Sequence, residues 1–193
     1  MAEQSYNLKD AHILLGVSGG VAAYKAVDLA SKLRAAQAKV QTVMTESACR
    51  LVTSKSFEAV TGSAVYTSMW DTSQQYDISH ISLVEWADIV VVAPATANII
   101  GKAANGICDD LLSTVLCVCW AKPTLFASAM NNNMWTNPIV QRNVEKLKEA
   151  GFKFVGPEVG RLACGTDAIG RMAEPQTIIG VLENIVAELK SKH

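Results

Sequence analysis

Residues 86–99, W-A-D-I-V-V-V-A-P-A-T-A-N-I, hold an unbroken apolar run followed by a small polar turn. Ile89, Val90, Val91, Val92 and Ala93 show no polar alternation, which predicts a strand covered on both faces, as in a parallel sheet. Pro94 has no N–H to donate and is expected to end the ladder. Thr96, Ala97 and Asn98 follow at the strand's carboxyl end, where open α/β sheets bind their ligands. A helix is expected to begin there, so the turn offers a hydroxyl, an amide and free helix N–H groups to an anionic or polar ligand. A plain helix cap at Thr96 or Asn98 accounts for the same residues.

The earlier part of the chain repeats the pattern. Residues 12–17 read as a buried strand, Ser18-Gly19-Gly20 as a turn, and residues 21–35 as a helix with Val21, Tyr24, Val27, Leu29 and Leu33 mostly on one side. Residues 40–44 form a second strand, giving a βαβ unit with a right-handed crossover. The turn G-V-S-G-G lacks the G-x-G-x-x-G dinucleotide fingerprint. A glycine turn at a helix start still suits a phosphate, although glycines also simply make tight turns. Glu46 at the tip of the second strand leaves a ribose contact open. Residues 48–60 read as helical, 65–66 as extended, and 71–79 as a polar surface loop that ends at His80 before the central strand.

Beyond the central strand, Asn105-Gly106 marks a break between two helices. Asp109 and Asp110 read as a helix cap in preference to a metal pair. Residues 123–127 form another strand, leading into a polar loop of Asn131, Asn132 and Asn133 flanked by Met130 and Met134 and suited to a flat or amide-bearing ligand. Thr136-Asn137-Pro138 opens a helix that Gly151 ends, and residues 152–155 form a strand. Residues 156–173 are glycine-rich and irregular; the length of this loop points to function, and its apolar content argues against disorder. Cys164 lies within it, near Arg161 and Arg171 in sequence. Residues 175–189 form a last amphipathic helix with Pro175 in its first turn. Strands alternating with helices give an α/β domain with a parallel sheet over residues 11–190, after a polar extension over residues 1–10.

Composition narrows the classes. The chain has 193 residues, half of them hydrophobic and 18% charged, which marks a globular chain. A net charge of −1 gives no footprint for nucleic acid. No apolar run reaches membrane-spanning length, and residues 1–10 lack the apolar core of a signal peptide. Five cysteines without C-x-x-C or metal spacing point to reduced thiols in the cytoplasm and to no metal site. His12 and His193 read as idle, and His80 as a candidate because of its place before the central strand.

Six stretches occur in order: G-V-S-G-G-V-A-A-Y-K, H-I-S-L-V-E-W-A-D, A-P-A-T-A-N, A-N-G-I-C-D-D-L-L, A-M-N-N-N-M-W and R-L-A-C-G-T-D-A-I-G-R-M-A-E-P. Together they resemble the flavin-dependent cysteine decarboxylases. The resemblance implies a Rossmann-like, flavodoxin-type three-layer subunit that binds FMN, commonly in a homotrimer with sites between subunits. It implies FMN contacts at Gly20, Val21, Ala22, Thr45, Ser47, Thr96, Ala97, Asn98, Ile99 and Ala129. It further implies His80 as base, Asn131 as holder of the substrate carboxylate, Cys164 as the acid of the last step, and Arg161 and Met172 in a segment that covers the substrate. The implied reaction decarboxylates 4'-phosphopantothenoylcysteine to 4'-phosphopantetheine through a thioaldehyde, whose electron sink lets CO2 leave as an enethiolate forms. Cys164 separates this outcome from relatives that act on peptide cysteines and stop at the enethiol; the His80 and Asn131 motifs argue against a flavin prenyltransferase, and a phosphatase-regulating relative on the same fold is a further alternative. Ile99 stands where the family carries threonine, and Ser128 where it carries proline. The stretch after the last helix lacks the synthetase half of bifunctional relatives, so no ligation is expected from these residues.

Overall fold

Strand β1 (His12–Val17) is apolar and buried over nearly its whole length, and it lies at the centre of the sheet. The computed structural model describes residues 8–70, 79–161, 163 and 165–191, with Ser79 described by its backbone alone. Helix α1 (Ala23–Ala35) returns the chain to β2 (Lys39–Met44). Helices α2 (Glu46–Cys49) and α3 (Ser54–Thr61) lead to the two-residue strand β3 (Val65–Tyr66). Helix α4 (Ser79–Trp86) precedes β4 (Ile89–Ala95), which is followed by α5 (Ala97–Asn105) and α6 (Leu111–Val118). Strand β5 (Thr124–Ser128), α7 (Asn132–Trp135), α8 (Pro138–Glu149) and β6 (Lys153–Val155) complete the sheet. A hairpin of β7 (Glu158–Arg161) and β8 (Asp167–Arg171) then leads to α9 (Pro175–Lys190).

Among the described residues the large sheet has the order β3-β2-β1-β4-β5-β6, with every neighbouring pair parallel. Without the short β3 this is the 2-1-3-4-5 order of flavodoxin-like sheets, and with it the 3-2-1-4-5-6 order of Rossmann sheets. The run Ile89–Ala95 is fully buried because both faces are covered. Ile89, Val91 and Ala93 pack with α1 and α9 residues such as Leu29 and Leu182 on one face. Val90, Val92 and Ala95 pack with Ile100, Leu112, Val115 and Leu147 on the other. Each such branched side chain contributes about 1.5–3 kcal/mol when fully buried.

Several expectations are corrected. Pro94 does not end the ladder: the register shifts between Val92 and Ala95, so the proline occupies an irregularity where no ladder N–H is needed, and the strand runs through Ala95. The buried stripe of α1 is Ala23, Ala26, Leu29, Ala30 and Leu33, whereas Val21 and Tyr24 are exposed. The expected helix over residues 48–60 is two helices, the first capped by the Thr45 hydroxyl, which accepts the Ala48 N–H at 3.2 Å. His80 sits in the first turn of α4, not at the end of a loop; the rest of the expected loop, residues 71–78, lies outside the described residues. The asparagine loop is a short helix that Asn131 caps. Residues 156–173, expected to be irregular, include the antiparallel hairpin, whose glycines conceal any alternation.

The expected helix break at Asn105-Gly106 and the acidic cap hold. Gly106 ends α5 in the left-handed conformation, and Asp110 caps α6 through a reciprocal pair of bonds with Ser113. Lys102 Nζ donates to Asp109 Oδ1 at 2.6 Å and Asp110 Oδ2 at 2.7 Å, which holds the Asp109 carboxyl below the usual carboxylate range. No helix among the described residues is long and apolar enough to cross a membrane.

Ser128 is fully buried, and its hydroxyl has no partner among the described residues. An unsatisfied buried hydroxyl carries a desolvation penalty of about 1–3 kcal/mol. Ser128→Ala is therefore expected to raise the free energy of unfolding by about 1 kcal/mol in a denaturant titration; a lower midpoint at unchanged slope contradicts this account.

Candidate functional site

The strand order reverses between β1 and β4, and the crevice beyond their carboxyl ends holds a cavity of about 950 Å³. Its walls come from four places: Gly19 to Ala22 with Tyr24 and Lys25 at the start of α1, Thr96 and Asn98 at the start of α5, Ala129 to Asn131 with Met134 after β5, and Arg161, Ala163, Gly165 and Gly170 to Met172 in the hairpin region.

Ser18 joins the first two walls. It is 2% exposed. Its Oγ donates to the Pro94 carbonyl at 2.7 Å and accepts the Thr96 N–H at 3.2 Å. A hydroxyl has one proton, and that of Ser18 is committed to Pro94. The 3.1 Å contact between Ser18 Oγ and Thr96 Oγ1 is therefore a bond donated by Thr96. Thr96 Oγ1 also accepts the Ile99 N–H at 3.5 Å, which caps α5. Two glycines permit the close approach. A Cβ on Gly20 would stand 3.1 Å from Thr96 Cγ2, and one on Gly19 would stand 2.3 Å from Ser47 Cβ.

The other walls are tied in by polar bonds. Ala129 N–H donates to Ala95 O, and Met130 N–H to Gly170 O, both at 3.0 Å. Asn131 Oδ1 accepts the Asn133 N–H at 2.9 Å, which orients the Asn131 side chain at the start of α7. Lys25 Nζ and Arg171 Nη2 each lie 2.8 Å from Glu174 Oε1, joining α1 to the hairpin.

Of the residues singled out in the sequence, Gly20, Val21, Ala22, Thr96, Asn98, Ala129, Asn131, Arg161 and Met172 line this one cavity. Thr45 and Ser47 flank it: Thr45 N–H donates to Val17 O at 3.0 Å, and Ser47 packs behind Gly19. Ala97 is the first residue of α5 and is not in the lining. Ile99 is 1% exposed and packs into the core on the α5 and α6 side, so its side chain faces away from the cavity. His80 is half-buried on α4 and is also outside the lining. Because α4 runs back from the carboxyl end of the sheet to the start of β4, its first turn stands at the same end of the sheet as the cavity. Cys164 lies outside the described residues; Ala163 and Gly165 on either side of it both line the cavity. Glu46, open as a ribose contact, is exposed and pairs with Arg50. No group of three or more potential metal ligands occurs among the described residues.

Met130 and Met134, expected beside a ligand at the asparagine turn, also line the cavity, whereas sequence reasoning missed Tyr24, Lys25 and Arg171 as lining residues. Tyr24 and Lys25 close the first motif, G-V-A-A-Y-K, and Lys25 follows Val21 by one helical turn; that spacing was the available signal.

These features define an α/β ligand-binding protein with its site at the topological switch point, able to take a large, flat, anionic molecule. The model of the family described as Flavoprotein matches residues 1–187, and the chain belongs to that family. The coenzyme A biosynthesis bifunctional protein CoaBC of Bacillus subtilis (strain 168) is 46% identical over 191 residues, which is 96% of this chain and 47% of that protein. The chain thus spans about half the length of the curated relatives it matches. Among solved structures, a cysteine-to-serine mutant of PPC decarboxylase complexed with pantothenoylaminoethenethiol is similar with a TM-score of 0.84 and 33% identity, over 93% of this chain and 100% of that one. The FMN binding protein AtHal3 is similar with a TM-score of 0.79 and 34% identity, over 92% of this chain and 97% of that one.

The contact between Gly19 and Ser47 makes the site sensitive to a single methyl group. Gly19→Ala is expected to cost about 1–3 kcal/mol of stability as the two turns are forced apart. Adding Ser47→Gly is expected to restore part of that loss in thermal denaturation. A Gly19→Ala protein as stable as the parent contradicts the contact.

Proposed function

We propose that this chain is the FMN-dependent decarboxylase that converts 4'-phosphopantothenoylcysteine to 4'-phosphopantetheine in coenzyme A biosynthesis, with residues 11–190 as the working unit. The observation that carries the reading is that Gly20 to Ala22, Thr96, Asn98 and Ala129 share one cavity with Asn131, Arg161 and Met172. The names of the relatives support it: the bacterial protein acts in coenzyme A biosynthesis, and the structural relatives are a PPC decarboxylase and an FMN binding protein.

The residues present fit FMN. At Gly20 the wall has room for a ligand to approach the backbone, and a Cβ there would crowd Thr96. Thr96 and Asn98 at the start of α5 offer polar groups to a phosphate or ribityl chain. FMN supplies a two-electron acceptor that is restored within each turnover, so no external oxidant is consumed.

The chain's own residues orient the substrate and move protons. Asn131, oriented by its bond to Asn133, holds the substrate carboxylate by neutral hydrogen bonds. A fixed cation in that place would stabilise the carboxylate before CO2 leaves more than the transition state, raising the barrier. His80 takes the thiol proton of the substrate, and Cys164 returns a proton at the end. Arg161 and Met172 cover the substrate from the hairpin side.

The position of His80 outside the lining of its own chain favours a site completed by a second copy, and we assign a homotrimer with sites between subunits. The described cysteines Cys49, Cys108, Cys117 and Cys119 are free thiols, in keeping with a place in the cytoplasm.

The test is product mass after incubating the purified, flavin-loaded protein with 4'-phosphopantothenoylcysteine. The expected product has lost CO2 alone, and Cys164→Ser is expected to yield a product that has lost two further hydrogens. A saturated product from that variant overturns the role of Cys164. No CO2 loss by the parent protein despite bound flavin overturns the substrate and turns the reading to peptide cysteines or to a regulatory binding role.

A further inference from the structure

Among the described residues that line the cavity there are three cations, Lys25, Arg161 and Arg171, and no aspartate or glutamate. The whole chain has a net charge of −1, so this is a local imbalance. Lys25 is unusual for a helix lysine: its side chain is only 14% exposed. Lys25 Nζ and Arg171 Nη2 share a single carboxylate oxygen, Glu174 Oε1, at 2.8 Å each, so the two cations stand no further apart than twice that distance. Glu174 itself is not in the lining, and Glu158 Oε2 stands 3.7 Å from the same guanidinium. The cations thus border the cavity, and the two carboxylates that pair with them do not.

The arrangement is built into the fold. Gly160 of β7 leaves room for the Arg171 side chain: a Cβ there would lie 3.4 Å from Nη1 and 3.5 Å from Cζ. The buried Nε–H of Arg171 has no partner among the described residues, and its Nη1 and Nη2 carry the remaining donors of the guanidinium.

We propose that Lys25 and Arg171, held side by side by Glu174, form a subsite for a phosphate monoester. A guanidinium fork beside an ammonium point charge matches a phosphate dianion, which takes several charge-assisted bonds at once. The inference rests on the reading above, in which two phosphate monoesters enter the cavity, that of the cofactor and that of the substrate. It assigns the recognition of one of them to residues outside the set implied by the family resemblance.

The experiment needs no turnover. One arm measures the dissociation constant of FMN with the apoprotein by quenching of flavin fluorescence. The other compares binding of 4'-phosphopantetheine and pantetheine to the FMN-loaded protein by calorimetry. Lys25→Gln is expected to weaken one arm by about 10- to 100-fold, the range set by losing a hydrogen bond to a charged group. Lys25→Arg, which keeps the charge, is expected to recover most of the loss. A fall confined to 4'-phosphopantetheine assigns the subsite to the substrate, and a fall confined to FMN assigns it to the cofactor. Unchanged values in both arms, or equal losses for 4'-phosphopantetheine and pantetheine, overturn the subsite. A protein that binds in these assays but never releases CO2 overturns the proposed reaction and leaves the subsite standing.

Discussion

The three hydrogen bonds at Ser18 are the constraint on which the site depends. The sheet places the carboxyl ends of β1 and β4 side by side, but a strand order alone does not fix how the two following turns face each other. Ser18 does so by donating to Pro94 O and accepting from both the N–H and the hydroxyl of Thr96. With Ser18 2% exposed, no water is at hand to replace a missing partner. Each broken bond would leave a buried polar group unsatisfied, at about 1–3 kcal/mol. The two turns therefore hold one relative position, and Gly19 and Gly20 let them reach it.

The remaining walls are attached by polar links in addition to the apolar core they share. Met130 N–H reaches Gly170 O across to the hairpin, and Glu174 connects α1 to β8 through Lys25 and Arg171. Behind them, Met172 and Ala173 are fully buried and anchor the chain leaving β8 in the core on the α1 and α9 side. The outer hairpin surface is much less packed, with Val159 73% exposed.

The sheet and most helices are legible in the sequence because their signal is strong. The run from Ile89 to Ala93 has only one environment that suits it, and the caps at Asp110 and Asn137 are local. What is not legible has identifiable causes. The α1 face is misread because alanines barely register in hydrophobic spacing, yet a helix lying close on a sheet selects small residues such as Ala23, Ala26 and Ala30. Pro94 reads as a terminator because a register shift is a property of two paired strands and not of one. The hairpin is hidden by Gly160, Gly165 and Gly170, which break alternation; Gly160 also permits the close approach of Arg171. The pairing of Lys25 with Arg171 is hidden in the sequence, since Glu174, the partner they share, lies 149 residues beyond Lys25 along the chain.

The side chains that face the cavity owe their placement to contacts made on the side away from it. Asn131 presents its side chain to the cavity while its oxygen holds the Asn133 N–H. Thr96 is fixed by Ser18 and by the first turn of α5, and Lys25 and Arg171 by Glu174. Groups ordered in this way lose little further freedom when a ligand arrives, which is how a small number of polar contacts supplies useful affinity and selectivity. On the proposed function, it also separates two electrostatic tasks within one cavity. A phosphate is best held by paired cations, whereas a carboxylate that must leave as CO2 is best held by a neutral amide. Here the cations come from α1 and β8, backed by a carboxylate, and the amide comes from the turn after β5. Supplying these groups from different elements lets each task be met without the charge that serves one opposing the other.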